Sequence, residues 1–533
     1  MSQKFDFIVV GAGTAGCLLA NRLSENGKYS VALLEAGGSD NYHWIHIPVG
    51  YLYCMGNKKT DWLFKTTAQS GLNGRSLNYP RGKVMGGCSS INGMIYMRGQ
   101  ANDYDQWRQM GNKSWGWDDV LPYFTKMEDN FSGKNKFHGQ GGEWKVEEQR
   151  LSWDVLDSFQ NATIEAGIPK IEDFNEGNNY GVSYFKVNQK SGWRWNTVKA
   201  FLKPIKDRKN LNIISKCEVS KLIIENKKAI GVEVIKNGNF EKIFVNREII
   251  LTAGSIGSPK ILELSGIGNP EILSNLGIKI KVESKNVGEN LQDHLQLRVI
   301  YRLDNAITLN QKANSFLGKM LIGLEYALKR TGPMSMAPSQ LGVFAMSDNS
   351  YETPNLQFHV QPLSLDKFGD PLHDFPGLTA SVCNLNPQSR GSVHILSDDA
   401  KQAPAIDPNY LSEEQDKIVA AQSIKLARKI ISQPAMEKYN PKEYAPGIQF
   451  ETDEDLKKVA GDIGTTIFHP VGTCAMGPSL SSVTDDKLFV RGIDGLRVAD
   501  ASVMPTITSG NTNSPTLMIA EKAAEMILSS AKI

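Results

Sequence analysis

Several things are missing from these 533 residues, and each absence narrows the reading. No stretch reaches about eighteen apolar residues without a charge, so no segment reads as spanning a bilayer. Peripheral membrane contact, at the inner face, is left open. Cysteine is scarce: six, at positions 17, 54, 88, 217, 383 and 474, with no CxxC pair. That pattern argues against a zinc site and against a disulfide framework, and it fits a reducing cytoplasm. A basic excess is lacking too: 59 Lys and Arg stand against 57 Asp and Glu, a net +2. No nucleic-acid partner is expected from such a balance. The opening Met-Ser-Gln-Lys-Phe-Asp has no basic region followed by a long apolar one, so no signal peptide is expected. Repeats and low-complexity tracts are also lacking. What is present is the makeup of a globular protein, 41% hydrophobic and 22% charged, with 48 glycines. The length suggests two or three domains, or two that interleave.

Along the chain, Phe5–Val10 reads as a buried parallel strand, residues 15–23 as a helix and Tyr29–Leu34 as a second strand. Strands are expected at 211–215, 221–225, 229–234, 242–245 and 248–251, then helical spacing at 258–264. Trp107–Trp117 reads as irregular. Ser315–Leu328 is amphipathic and reads as a core-facing helix, with a membrane-facing one as the alternative. From about 300 to 455 the texture changes to proline-rich turns between short β-like runs. The tail returns to strand, turn and helix. The fold class is therefore α/β: a Rossmann-type domain from residues 1–155, 195–300 and 460–533. It is interleaved with a sheet-and-helix domain from 156–194 and 301–459.

Gly11-Ala12-Gly13-Thr14-Ala15-Gly16 is a GxGxxG loop between strand and helix. Gly11 permits the tight turn, Gly13 the close approach of a pyrophosphate, and Gly16 close packing of helix on strand. Glu35, at the end of the next strand, suits a ribose diol and would repel a 2′-phosphate. The pattern points to a dinucleotide other than NADP. A second small-residue segment, Pro80 to Tyr96, offers another backbone surface to lie flat against a cofactor.

That second segment resembles the first signature of the glucose–methanol–choline (GMC) flavoproteins. Gly254–Gly268 is similar to the second signature. Val287–His294, Phe468–Gly477, Val498–Pro505 and Gly510–Thr516 match as well, in family order, so the likeness covers nearly the whole chain. Within the family, alkanol and choline dehydrogenases are the most similar. The resemblance implies FAD. Its ADP part would rest on Gly11, Gly13, Thr14, Ala15, Gly16, Glu35 and Ala36, with Val219 near the adenine. Its ring would lie against Val84, Gly87, Asn92, Gly93, Met94, Asp500, Ala501, Asn511 and Thr512. Cys88 stands where the pattern usually has Ser, Thr or Gly, and packing is its simplest role. Some relatives link FAD covalently through a histidine where this chain has Ile91, so non-covalent binding is implied.

The implied chemistry is oxidation of a primary alcohol to an aldehyde, with hydride passing to flavin N5 and a base taking the hydroxyl proton. Of eight histidines, His43, His46 and His138 read as surface or packing, His359 and His394 as core or cleft wall, His373 as a loop residue and His294 as structural. His469 occupies the family's base position, and activity should rise as its imidazole deprotonates near ~6.5. Asn513 is assigned as the amide that positions the substrate oxygen. Electrons would go to a quinone-type acceptor. An oxygen-using oxidase, a choline dehydrogenase, and an FAD-containing lyase or photodecarboxylase are the alternatives. Met334–Phe344 is expected to line the cleft, with Met336 an adaptable wall and Gln340 in a position where related dehydrogenases often carry Glu. Lacking any charge there, the reading favours an uncharged alcohol over choline. Oligomeric state is not legible.

Overall fold

The structure, a computed structural model, describes residues 3–367 and 369–531. Two seven-stranded sheets organise it. In the first, the order is Leu211–Ile214, Val31–Leu34, Gln3–Val10, Asn239–Leu251, Lys228–Lys236, Cys217–Glu225, with Leu496–Val498 also paired to Asn239–Leu251. Gln3–Val10 runs parallel to both neighbours, whereas residues 217–251 form an antiparallel meander. Val31–Leu34 is buried along its whole length, as a parallel strand covered on both faces must be. Helices Thr14–Ser24 and Asn513–Ser530 pack on each other and share this sheet's core, so the two ends of the chain meet in one domain.

The second sheet is antiparallel, in the order Lys442–Ala445, Leu295–Arg302, Gly377–Asn384, Leu356–Gln361, Leu341–Ala345, Gly181–Tyr184, and Gly464–Thr466 also joins Leu295–Arg302. One of its faces is apolar. Leu297, Val299, Phe358, Val360, Ala380 and Val382 pack with helices Asp154–Glu165, Glu414–Ile431 and Asp453–Ile463. The opposite face carries Gln296, Arg298, His359, Gln361, Thr379 and Ser381, all buried. A strand alternates its side chains between faces, so this second row looks away from the core.

Several expectations need correcting. The expected boundaries at 155/156, 300/301 and 459/460 each cut an element: helix Asp154–Glu165, strand Leu295–Arg302 and helix Asp453–Ile463. All three contribute to the second core, because their apolar faces match that sheet. The strands read separately at 242–245 and 248–251 are one, Asn239–Leu251. The tryptophan-rich stretch is irregular over 110–116, as expected, but it also includes the end of helix Ala101–Gln109 and the first residue of helix Trp117–Met127.

The largest departure is helix Phe316–Lys329. It is not core-facing: only Tyr326 is buried, while Phe316, Leu317, Met320, Leu321, Leu324 and Leu328 are exposed, Phe316 to 86%. Those six project from one side of the helix, since their spacing keeps them within about 140° on a 3.6-residue turn. Full burial of such a side chain is worth about 1.5–3 kcal/mol, and at 53–86% exposure each forgoes roughly half of that or more. No helix among the described residues is long and apolar enough to cross a membrane.

Candidate active site

A single elongated cavity runs from the glycine loop at the end of Gln3–Val10 to the polar face of the second sheet. At one end, the loop geometry demands glycine. Gly11 has φ +100°, and a Cβ there would meet the Thr252 carbonyl oxygen at 2.7 Å. At Gly16 a Cβ would lie 1.9 Å from the Gly11 oxygen, which is why helix and strand can pack so closely. Gly87, at φ +51°, brings the second small-residue segment onto the first, as a Cβ there would sit 2.7 Å from the Gly13 Cα. The two loops thus form one backbone-lined trough, open to a flat or extended ligand.

Glu35 is buried at the loop. Its Oε2 accepts the Ala12 N–H at 2.9 Å and its Oε1 the Gly37 N–H at 2.7 Å. Burial pushes its carboxyl up to about 7, with those two N–H donors opposing. Gly11, Gly13, Thr14, Ala15, Glu35, Ala36 and Val219 line this end, and Gly87, Asn92, Gly93, Met94, Asp500, Ala501, Asn511 and Thr512 line the middle. Asp500 anchors the middle from beneath. It accepts from the Gly254 N–H at 2.9 Å, the Ser258 hydroxyl at 2.6 Å and the Ser502 N–H at 2.8 Å. Val84 and Gly16 stand a layer behind the wall. Val84 packs with Ile45, Cys54 and Ile91.

At the far end sits His469, on a loop that leaves strand Gly464–Thr466. The preceding Phe468 has φ +71°, a strained conformation for a bulky residue, worth about 1–3 kcal/mol. Three hydrogen bonds sustain it: the Phe468 N–H donates to the Thr466 hydroxyl at 2.8 Å, Arg81 donates to the Phe468 carbonyl at 2.7 Å, and the His469 N–H donates to Asp293 Oδ1 at 2.7 Å. Asp293 is fixed in turn by the hydroxyls of Tyr79, Tyr410 and Thr466.

The imidazole lies in a chain of hydrogen bonds that assigns its tautomer. His294 Nε2 faces the Leu385 carbonyl at 3.0 Å, so that nitrogen carries a proton. Burial holds His294 neutral, its pKa down at about 4, so its Nδ1 is an acceptor. His469 Nδ1, 3.1 Å away, must then be the donor. The lone pair of His469 is left on Nε2, where the Asn511 amide nitrogen stands at 3.0 Å. Burial first, then the fields of His294, His359 and Arg81, keep His469 itself well below the ordinary histidine value. A neutral imidazole with an aimed lone pair is what a general base requires.

The amide beside His469 is therefore Asn511, not Asn513. Asn513 opens the last helix and its Oδ1 accepts from the Thr14 hydroxyl at 2.8 Å, which ties that helix to the glycine loop. Two residues of separation at the entrance of a helix turn the neighbouring amides to different parts of the cavity. The cleft residues also need correcting. Met336 is buried in the second core. Gln340 is fully buried and its Nε2 donates to the Ala337 carbonyl at 2.5 Å. Of the segment 334–344, Pro338 and Ser339 line the cavity, because the chain turns into the central strand Leu341–Ala345 just afterwards. The wall there is built instead by Gln296, Arg298, His359 and Gln361. Their signal lay in the sequence as apolar–polar alternation, Leu-Gln-Leu-Arg at 295–298 and Leu-Gln-Phe-His-Val-Gln at 356–361.

Comparison with known proteins agrees with this architecture. Two family models, both described as GMC oxidoreductase, match residues 5–296 and 387–520. The chain belongs to the GMC oxidoreductase family. It is 40% identical to an alcohol dehydrogenase [acceptor] of Pseudomonas putida, covering 98% of this chain and 96% of that one. It is 39% identical to an oxygen-dependent choline dehydrogenase of Photobacterium profundum, covering 99% and 94%. Among solved structures it resembles pyridoxine 4-oxidase from Mesorbium loti, with a TM-score of 0.89 and 29% identity over 98% of each chain. The trough fits the family's FAD: it is lined by backbone at Gly13 and Gly87, and it leaves Asn511 Oδ1 and Asn513 Nδ2 buried without partners for a ligand to meet.

Proposed function

We propose that this GMC protein oxidises a primary alcohol to an aldehyde in an FAD-dependent reaction, with His469 as the base. FAD, when bound, supplies the two-electron oxidising group for the carbinol carbon. The trough residues named above would hold it, and Ile91, which lines the cavity, offers no nucleophile for a covalent link. The observation that carries the reading is the His294–His469–Asn511 chain. A substrate hydroxyl that inserts between them, in place of the Asn511–His469 contact, donates its proton to His469 Nε2 and accepts from the Asn511 amide. Buried surroundings exclude water from that exchange and strengthen both hydrogen bonds. Asn511 orients without taking the proton, since an amide is no base at neutral pH. A reading as lyase or photodecarboxylase has no observation in its favour. The test is anaerobic addition of primary alcohols: the flavin absorbance should bleach, and an equivalent of aldehyde should appear. A flavin that no alcohol bleaches would exclude the oxidation.

For the acceptor, the exposed helix Phe316–Lys329 supports a lipid-soluble quinone rather than oxygen. In and next to this helix, residues 312–330 carry Lys312, Lys319, Lys329 and Arg330 against a single acid, Glu325, a charge balance suited to anionic headgroups. Turn Pro333–Ser335 connects this helix to the segment at 48–50, which leads into the Tyr51–Cys54 helix, where Leu52 and Tyr53 are exposed and Tyr51 lines the cavity. Reduced enzyme should be reoxidised faster by a quinone in anionic vesicles than by dissolved oxygen. Leu324→Glu should weaken co-flotation with those vesicles while leaving anaerobic bleaching intact. Reoxidation that is equally fast in air without vesicles would favour an oxidase.

A further inference from the structure

The polar row on the second sheet contains a charge that no carboxylate among the described residues pairs with. Arg298 lines the cavity and is only 7% exposed. Among the described residues its one hydrogen bond is long, Nη2 to the Leu365 carbonyl at 3.5 Å, and its Nε is buried without a partner. Among the described residues no carboxylate forms an ion pair with it. Asp366 reaches it by field alone, and its own contact is with His373. Burial draws the guanidinium down to about 10, which still leaves it cationic at neutral pH. Burying an uncompensated charge is among the costliest arrangements in a protein, and a fold retains one where a ligand supplies the counter-charge.

The surroundings say which ligand. The acidic residues of the cavity are Glu35, Glu218 and Asp500. Glu35 is held by the loop N–H groups, Glu218 pairs with Lys83, and Asp500 is anchored under the Gly254 helix start. None of them stands on the second sheet. Around Arg298 the wall offers neutral polar groups with capacity to spare: Gln296, Gln361 with a buried unpaired Oε1, and His359 with a buried unpaired Nε2. Register puts Arg298 opposite Ser381, and Ser381 opposite His359, in one row across three strands. At about 4.8 Å per strand, the arginine is within a few carbon atoms' reach of His359, whose field in turn acts on His469.

Resting on the function proposed above, we infer that the alcohol substrate also carries a carboxylate, which Arg298 receives while the hydroxyl meets His469. The planar guanidinium fork donates two parallel hydrogen bonds to a carboxylate. The same charge repels a quaternary ammonium such as choline. This revises the sequence-based preference for an uncharged alcohol, which rested on a segment of which Pro338 and Ser339 line the cavity and Met336 and Gln340 do not.

The test compares matched pairs on the holoenzyme under anaerobic conditions: 4-hydroxybutyrate with 1-butanol, and 6-hydroxyhexanoate with 1-hexanol, with choline as the cationic member. The hydroxy acid of at least one pair should exceed its neutral partner in kcat/KM by about 10-fold or more, and choline should fall below both. Arg298→Gln should reduce kcat/KM for the hydroxy acid at least about 10-fold more than for the neutral alcohol, and Arg298→Lys should recover part of the difference. Separately, hexanoate should perturb the wild-type flavin spectrum saturably, and this titration should be lost in Arg298→Gln. Neutral alcohols equalling the acids, or hexanoate binding unaffected by Arg298→Gln, would overturn the inference and leave alcohol oxidation standing. If no alcohol bleaches the flavin, the reaction reading falls, and the hexanoate titration still decides whether Arg298 is an anion site.

Discussion

Replacing His469 with alanine is expected to slow flavin reduction by alcohol about 10²–10⁴-fold, the usual worth of a general base, while FAD stays bound. The measurement is stopped-flow bleaching at saturating alcohol. The pH profile gives a second handle. The neutral imidazole is the competent form, and its pKa lies well below the ordinary value of 6.5 through burial and the fields of His294, His359 and Arg81. The acid limb of kcat/KM should therefore fall below pH 6.5, with a plateau above it, instead of the limb near neutrality expected for an unperturbed histidine. His294→Ala keeps the base but removes the acceptor that holds its proton on Nδ1. It should slow flavin reduction, though less than His469→Ala does. A His469→Ala enzyme that reduces its flavin at the wild-type rate would exclude the assignment, and an undiminished rate in His294→Ala would exclude the tautomer chain.

Gly87→Val should yield a folded but nearly colourless protein. A Cβ at Gly87 would stand 2.7 Å from the Gly13 Cα, backbone against backbone, so neither side can yield without parting the two loops. The added branched side chain also resists the φ of +51°. Both effects fall on the trough that the cofactor would occupy, not on the sheet beneath. Flavin absorbance per protein should drop by an order of magnitude or more, with circular dichroism little changed. In the wild type, acid precipitation should release the flavin into the supernatant, as non-covalent binding requires. Full flavin content in the Gly87→Val protein would contradict the trough as the FAD site.

Much of this was determined by the sequence itself, wherever the deciding interactions are local. Gly11, Gly13 and Gly16 stand at fixed offsets after an apolar run, and backbone sterics alone dictate a turn, an approach and a packing contact there. Glu35 follows at the end of the next strand for the same reason. The order of the motifs carried the family and, through it, FAD and His469. Interleaving of the domains was also legible, since strand–helix texture returns at the C-terminus. Tertiary structure decided whatever depends on which face an element turns to its neighbour. It placed Asn511 rather than Asn513 beside His469, since two residues at a helix entrance separate side chains that a linear pattern treats alike. It moved Met336 and Gln340 out of the cleft and brought Gln296 and Arg298 in, because only the pairing of distant strands tells which alternate row is core and which is cavity. It joined His294 to His469 across 175 positions of chain. And it turned the apolar side of Phe316–Lys329 outward: periodicity gives a helix its two faces, but only the packing around it decides which one meets water.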